Sequence, residues 1–161
     1  MDLVADAAPI IFLAKIRQLG LITDVFEARI LIPSVVEKEI LGPPVPPDEE
    51  RLLRTFLPVC NVVDVSMPHI YATGLSLADN CVLTLAYQEH ADVILSDDRL
   101  LRRVAVLEGF RVIGTLGTLI HAKRRSILSA ERAMELFERL VEEHAFRIST
   151  LVYHAVRKEL L

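Results

Sequence analysis

The sequence predicts an α/β fold: a three-layer α/β/α sandwich with a central parallel sheet and two helices added at the C-terminal end. Three observations carry this. Short apolar runs such as Leu3-Val4-Ala5 and Val93-Ile94-Leu95 read as strands buried on both faces, and segments with helical spacing alternate with them. Acids stand where these runs stop, Asp6 after the first and Asp97-Asp98 after the second. The chain of 161 residues is 52% hydrophobic, which suits one sizeable core and leaves little room for a second.

Each element has its own warrant. After Leu3-Val4-Ala5, Pro9 fits the first turn of a helix through Ile10, Leu13, Ala14 and Ile16, because the amide that proline lacks would be unpaired there anyway. Gly20 is expected to end that helix, Leu21 to Phe26 to add a turn or two, and Arg29-Ile30-Leu31-Ile32 to form the second strand. Pro33-Ser34 opens a helix through Val35, Val36 and Ile40, and Gly42-Pro43-Pro44-Val45-Pro46-Pro47 reads as a rigid linker. Helix is expected over 48–57, a third strand over 61–65 and irregular chain over 67–75. Ser76 and Asp79 then stand at capping-box spacing before a helix carrying Val82, Leu85 and Ala86. Leu100, Leu101, Val104, Ala105 and Leu107 recur at helical spacing after Asp98, and Phe110 to Ile113 is the last strand. A helix ending in Lys123-Arg124-Arg125 follows, then amphipathic helices from about Ser129 and Ser149. No internal repeat is visible.

Composition excludes several classes. No apolar run approaches the roughly 18 residues a membrane span needs, and the first residues lack the basic start and long apolar segment of a signal peptide, so a cytoplasmic protein is expected. Cys60 and Cys81 are too few and too scattered for a disulfide framework or a zinc site. A net charge of −4 argues against broad adhesion to nucleic acid, although basic patches remain available.

In open α/β sheets ligands bind beyond the carboxyl ends of the parallel strands, so acids at strand-to-helix junctions are placed for chemistry. Asp6, Glu39, Asp79 and Asp98, with Asp97 beside the last, are compatible with one such edge. Each also has a plainer explanation. Asp98 or Asp97 can cap the following helix, and Asp79 can serve the capping box. Asp6 can cap the first helix, though with Pro9 in the first turn the expected cap is Ala8. Glu39, spaced from Val35 and Val36 so as to share their inward face, can reach water from a boundary position. Gathered together, carboxylates repel one another and call for a cation. With no His or Cys cluster to select zinc, that cation is Mg²⁺ or Mn²⁺, which held by carboxylates supports phosphodiester hydrolysis.

Asp6-Ala7-Ala8-Pro9-Ile10-Ile11-Phe12-Leu13-Ala14-Lys15, Ile32-Pro33-Ser34-Val35-Val36-Glu37-Lys38-Glu39-Ile40, Leu75-Ser76-Leu77-Ala78-Asp79 and Leu95-Ser96-Asp97-Asp98-Arg99 resemble, in order, the four acidic motifs of PIN-domain ribonucleases. The match covers residues 1–125 as a PIN-like nuclease domain, with 126–161 a helical extension of the same domain. The Gly114-Thr115-Leu116-Gly117 turn and the tail at Phe146-Arg147-Ile148-Ser149 further resemble small prokaryotic PIN-like proteins, including VapC-type toxins. The resemblance implies a Mg²⁺- or Mn²⁺-dependent endoribonuclease acting on RNA, with Asp6, Glu39, Asp79 and Asp98 as catalytic acids and Asp97 as a further metal carboxylate. It also implies an antitoxin partner. Two departures stand out: Ala8 replaces the usual Ser, Thr or Asn two residues after the first acid, and Ala78-Asp79 stands where Gly-Glu is common.

Ser96, Arg99, Arg102, Lys123 and Arg124 are the candidate substrate contacts, with Arg103 on the same helix. Such side chains grip phosphates without reading bases. The plainer reading is solvated helix faces and charges that complement helix C-termini. With no Trp and 6% aromatic residues, no stacking platform for bases is evident. The apolar stripes of the last two helices suggest a homodimer or an antitoxin interface. A non-catalytic PIN-like module is the alternative favoured by Ala8, and a phosphoacceptor domain of the response-regulator kind fits the spacing poorly.

Overall fold

The computed structural model describes residues 1–161. Five parallel strands, β1 (Asp2–Ala5), β2 (Arg29–Pro33), β3 (Asn61–Val63), β4 (Val93–Leu95) and β5 (Arg111–Ile113), lie in the order β3-β2-β1-β4-β5. Nine α-helices flank the sheet: α1 (Ala7–Lys15), α2 (Gly20–Phe26), α3 (Ser34–Leu41), α4 (Pro47–Phe56), α5 (Leu77–Gln88), α6 (Arg99–Leu107), α7 (Thr115–Arg124), α8 (Ala130–Glu143) and α9 (Thr150–Leu160). This is the expected three-layer α/β/α sandwich. The interior strands β2, β1 and β4 are buried along their apolar residues, as parallel strands covered on both faces must be. One continuous core runs from Leu3 on β1 to Leu160 on α9, and α8 enters it through Ala133, Leu136, Phe137 and Leu140.

Local chemistry explains the boundaries. Pro47 begins α4, and Asp48, Glu49 and Glu50 in its first turn complement the positive end of the helix. Ser129 and Ser149 cap α8 and α9, each hydroxyl accepting a bond from the amide three residues on. The first helix does not run to Gly20. It stops at Lys15 because Arg17 takes a left-handed backbone (φ 59°) and the Gln18 amide turns back to the Leu13 carbonyl at 2.7 Å, so Gly20 opens α2 instead. The third strand is also shorter than expected, ending at Val63 on the sheet edge.

The strand order places a topological switch at the centre. From β1 the chain moves outward to β2 and β3, then returns to lay β4 and β5 on the other side of β1. The crevice at the carboxyl ends of β1 and β4 is where such a sheet receives a ligand. The Asp6 amide donates to the Leu95 carbonyl at 2.8 Å and joins the two strand ends.

Candidate active cleft

Asp6 leaves β1 and caps α1, its Oδ1 accepting the Ala7 amide at 2.8 Å, so the cap is Asp6 itself and not Ala8. Its other oxygen, Oδ2, accepts the Ser96 hydroxyl at 3.2 Å, and that hydroxyl oxygen in turn accepts the Asp98 amide at 3.1 Å. Ser96, expected among the substrate contacts, is fully buried. It is a positioning group that ties the first acid to the backbone carrying the last. Asp98 caps α6 through Oδ1 to the Leu101 amide at 2.8 Å, while its residue stays exposed. Asp79 closes the capping box of α5, accepting the Ser76 amide and donating its own amide to the Ser76 hydroxyl, both at 3.1 Å. Capping and cleft placement are therefore not alternatives here.

Glu39 lies on the last turn of α3 beside the buried pair Val36 and Ile40, not on the core face itself, and its residue is exposed. Asp6, Glu39, Asp79, Asp97 and Asp98 all line one open cleft of about 600 Å³, together with Ala7 and Ala8. Burial, with repulsion from Asp79 and Glu39, pushes the Asp6 carboxyl up to about 6 despite the Ala7 and Ser96 bonds that favour its charge. Partial burial and the Asp79 charge likewise raise Glu39 above the usual carboxylate range.

Asp97 is held differently. Both of its oxygens are taken by Thr115, Oδ1 by the amide at 2.8 Å and Oδ2 by the hydroxyl at 2.6 Å. Burial still raises its pKa, against the Thr115 bonds and the Arg102 charge. The approach is close enough to require glycine at 114, where a Cβ would fall 2.5 Å from Asp97 Oδ1 and 3.1 Å from the Ser96 carbonyl. Thr115 and Gly114 carry chemistry that residue spacing does not show, since they reach Asp97 through the pairing of β4 with β5.

A family model described as DUF3368, PIN domain, matches residues 2–160. The chain belongs to the PIN-domain family. The match runs through α8 and α9, beyond the residues 1–125 that hold the four acidic motifs. No curated protein matches this chain. PIN domains are generally nucleases and typically use divalent metals, so the cleft can be tested against that requirement. Its donors are carboxylate oxygens, the ligands that Mg²⁺ and Mn²⁺ prefer. None of the salt bridges in the molecule engages Asp6, Glu39, Asp79 or Asp98, so no Lys or Arg neutralises them. The same side chains do not form a ready-made cluster of three or more metal-holding groups. The donor set fits a hard cation in chemistry and charge, and Asp97, with both oxygens committed, fits it least.

The basic residues divide. Arg99 and Arg102 flank Asp97, with Arg102 Nη1 donating to the Ser96 carbonyl at 3.0 Å. Lys123 and Arg124 go elsewhere: Lys123 donates to the Glu159 and Leu161 carbonyls and Arg124 pairs with Glu159 at 2.7 Å, so both clamp the end of α9. Neither lines the cleft. Cys60 and Cys81 are buried and unpaired. No helix is long and apolar enough to cross a membrane.

Proposed function

We propose that this PIN protein is a Mg²⁺- or Mn²⁺-dependent endoribonuclease. The observation that carries the reading is a crevice at the β1/β4 switch lined by Asp6, Glu39, Asp79 and Asp98 with no basic partner to neutralise them. These four would hold the cation, which when bound supplies Lewis acidity toward a phosphate and its attacking water. The protein's own contribution is positional. Ser96 fixes the Asp6 carboxylate relative to Asp98, and the burial and repulsion that raise the metal-free Asp6 carboxyl are what a bound cation would relieve. Asp97, held by Thr115, is a wall of the cleft rather than a ligand.

Cleavage of structured and unstructured RNAs in Mg²⁺ or Mn²⁺ tests this, with Asp98→Asn purified identically; asparagine retains the α6 cap, so lost activity is not lost fold. Cleavage equal in the two proteins refutes it. Titrating Mn²⁺ into metal-free protein should also raise Tm, because a ligand bound only by the folded state stabilises it. Ala8, which lines the cleft without a hydroxyl, favours a second reading as a non-catalytic PIN module. Metal binding without cleavage of any RNA decides for that reading.

We place the protein in the cytoplasm as the toxin of a toxin–antitoxin pair, with residues 126–161 extending the 1–125 nuclease domain. Exposed Leu151 on α9 and Val106 and Leu107 on α6 support a surface for a second copy or an antitoxin. Light scattering at micromolar concentration should show a dimer. Induced expression should arrest growth in the wild type and not in Asp98→Asn.

A further inference from the structure

On the far side of Asp97 from the acidic cleft lies a larger cavity of about 720 Å³, bounded by α6, β5, α7 and the entry to α9. Arg99, Arg102, Arg103 and Arg147 all face it, and none of the four pairs with a carboxylate anywhere in the molecule. Arg102 donates to the Ser96 carbonyl and its charge faces the Asp97 carboxylate in the same wall, which leaves Arg99, Arg103 and Arg147 as an uncompensated basic cluster in a chain of net charge −4. Three helices also begin at its walls. Arg99 is the first residue of α6, Gly114 precedes α7 with Leu116 and Gly117 in its first turn, and Ser149 caps α9. The Leu101, Thr115 and Val152 amides at these starts already donate to Asp98, Asp97 and Ser149, so what the starts add is the partial positive charge of each N-terminus, which with the arginines favours a compact anion. The remaining wall is apolar, formed by Leu116, Phe146, Ile148 and Val152.

The geometry points to a nucleotide subsite: the cavity takes one unstacked nucleotide of a single-stranded RNA, its phosphate on the arginines and helix starts and its base against the apolar wall. This rests on the reading of the chain as a protein that handles RNA. Guanidinium groups pair with phosphate oxygens in bidentate fashion, and an apolar wall beside them suits the flat face of a base. A single polyanionic strand passes from this cavity into the acidic cleft across Asp97, the wall they share. Sequence reading finds no stacking platform because the wall is assembled from three separated segments and contains a single aromatic ring, Phe146.

The test is fluorescence anisotropy of a labelled octauridylate in EDTA, where no metal contributes and failure of the nuclease reading is read separately by cleavage. Arg103→Gln/Arg147→Gln should weaken binding at least tenfold and reduce the salt slope by about 1.4, at about 0.7 for each phosphate no longer neutralised. Arg51→Gln/Arg54→Gln on α4, which contributes nothing to the cavity and changes the charge equally, should weaken it less than twofold. A strand of the same length without bases should bind at least fivefold more weakly than octauridylate. Equal weakening in the two double variants overturns the subsite in favour of diffuse charge, and equal binding of the baseless strand overturns the role of the apolar wall. Amide shifts in the cavity with an acidic leucine-rich peptide but not with octauridylate overturn it in favour of a protein partner.

Discussion

Replacing Asp6 by asparagine should stabilise the metal-free protein, and only above the pH where Asp6 loses its proton. The folded-state value of about 6 lies about 2.2 above the ordinary 3.8. At about 1.36 kcal/mol per unit this is about 3 kcal/mol, a conversion that holds because Asp6 is only 7% exposed. The sign follows from the direction of the shift. Below about pH 3.8 the carboxyl is protonated in both folded and unfolded chains and costs nothing; above about pH 6 it is ionised in both, and the full penalty falls on the folded state. Asparagine preserves the α1 cap and the bond from Ala7, but its amide group faces Ser96 where Oδ2 accepted a bond, a pH-independent loss of about 1 kcal/mol. The variant should therefore be about 1 kcal/mol less stable at pH 3 and about 2 kcal/mol more stable at pH 8. For 161 residues, at about 2–4 °C per kcal/mol, the difference in Tm between variant and wild type should swing by about 6–12 °C between those pH values. Thermal melts in EDTA across this range measure it, and a difference in Tm that is flat with pH refutes the account of Asp6 as a buried, repelled carboxylate.

Other substitutions probe the surrounding structure. Glu39→Gln removes a negative charge from the last turn of α3, where the helix dipole opposes it, and should raise Tm in EDTA by about 1–3 °C while lowering the Asp6 titration point followed by carboxyl NMR. Gly114→Ala drives a Cβ to 2.5 Å from Asp97 Oδ1 and should cost about 1–3 kcal/mol in urea unfolding; wild-type stability would mean that the seat of Asp97 on Thr115 yields easily. Phe137→Ala on α8 empties a fully buried site and should cost about 3–5 kcal/mol with a single transition and unchanged m; two transitions would make the C-terminal helices a separate folding unit.

The strands and the acids at their ends were legible because a parallel strand covered on both faces must be a continuous apolar run, and such a run ends where polar residues resume. Leu3-Val4-Ala5 with Asp6 and Val93-Ile94-Leu95 with Asp97 and Asp98 follow that logic. Residue spacing puts Glu39 one face too far inward because Val35 and Val36 are adjacent and blur the stripe; the structure buries the i, i+4 pair Val36 and Ile40 and leaves Val35 half-exposed. Features that depend on distant partners were not legible. Thr115 meets Asp97 only through strand register, Lys123 and Arg124 are drawn to the end of α9 thirty-five or more residues on, and the stop of α1 is made by a left-handed arginine where a glycine would be expected. Whether a basic side chain meets RNA or its own chain is settled by such encounters.

Asp6, Asp79 and Asp98 each terminate a helix as well as face the cleft, so each would hold its place in a protein that had given up cleavage altogether. Their presence answers to folding as much as to reaction. Glu39 has no such second employment. It caps nothing, forms no hydrogen bond or ion pair, and sits where its helix would rather have a cation. Among variants of this chain free to drift, glutamate at 39 would be the first of the four acids to disappear once the cleft fell idle, and its retention is the most economical reporter of a working site.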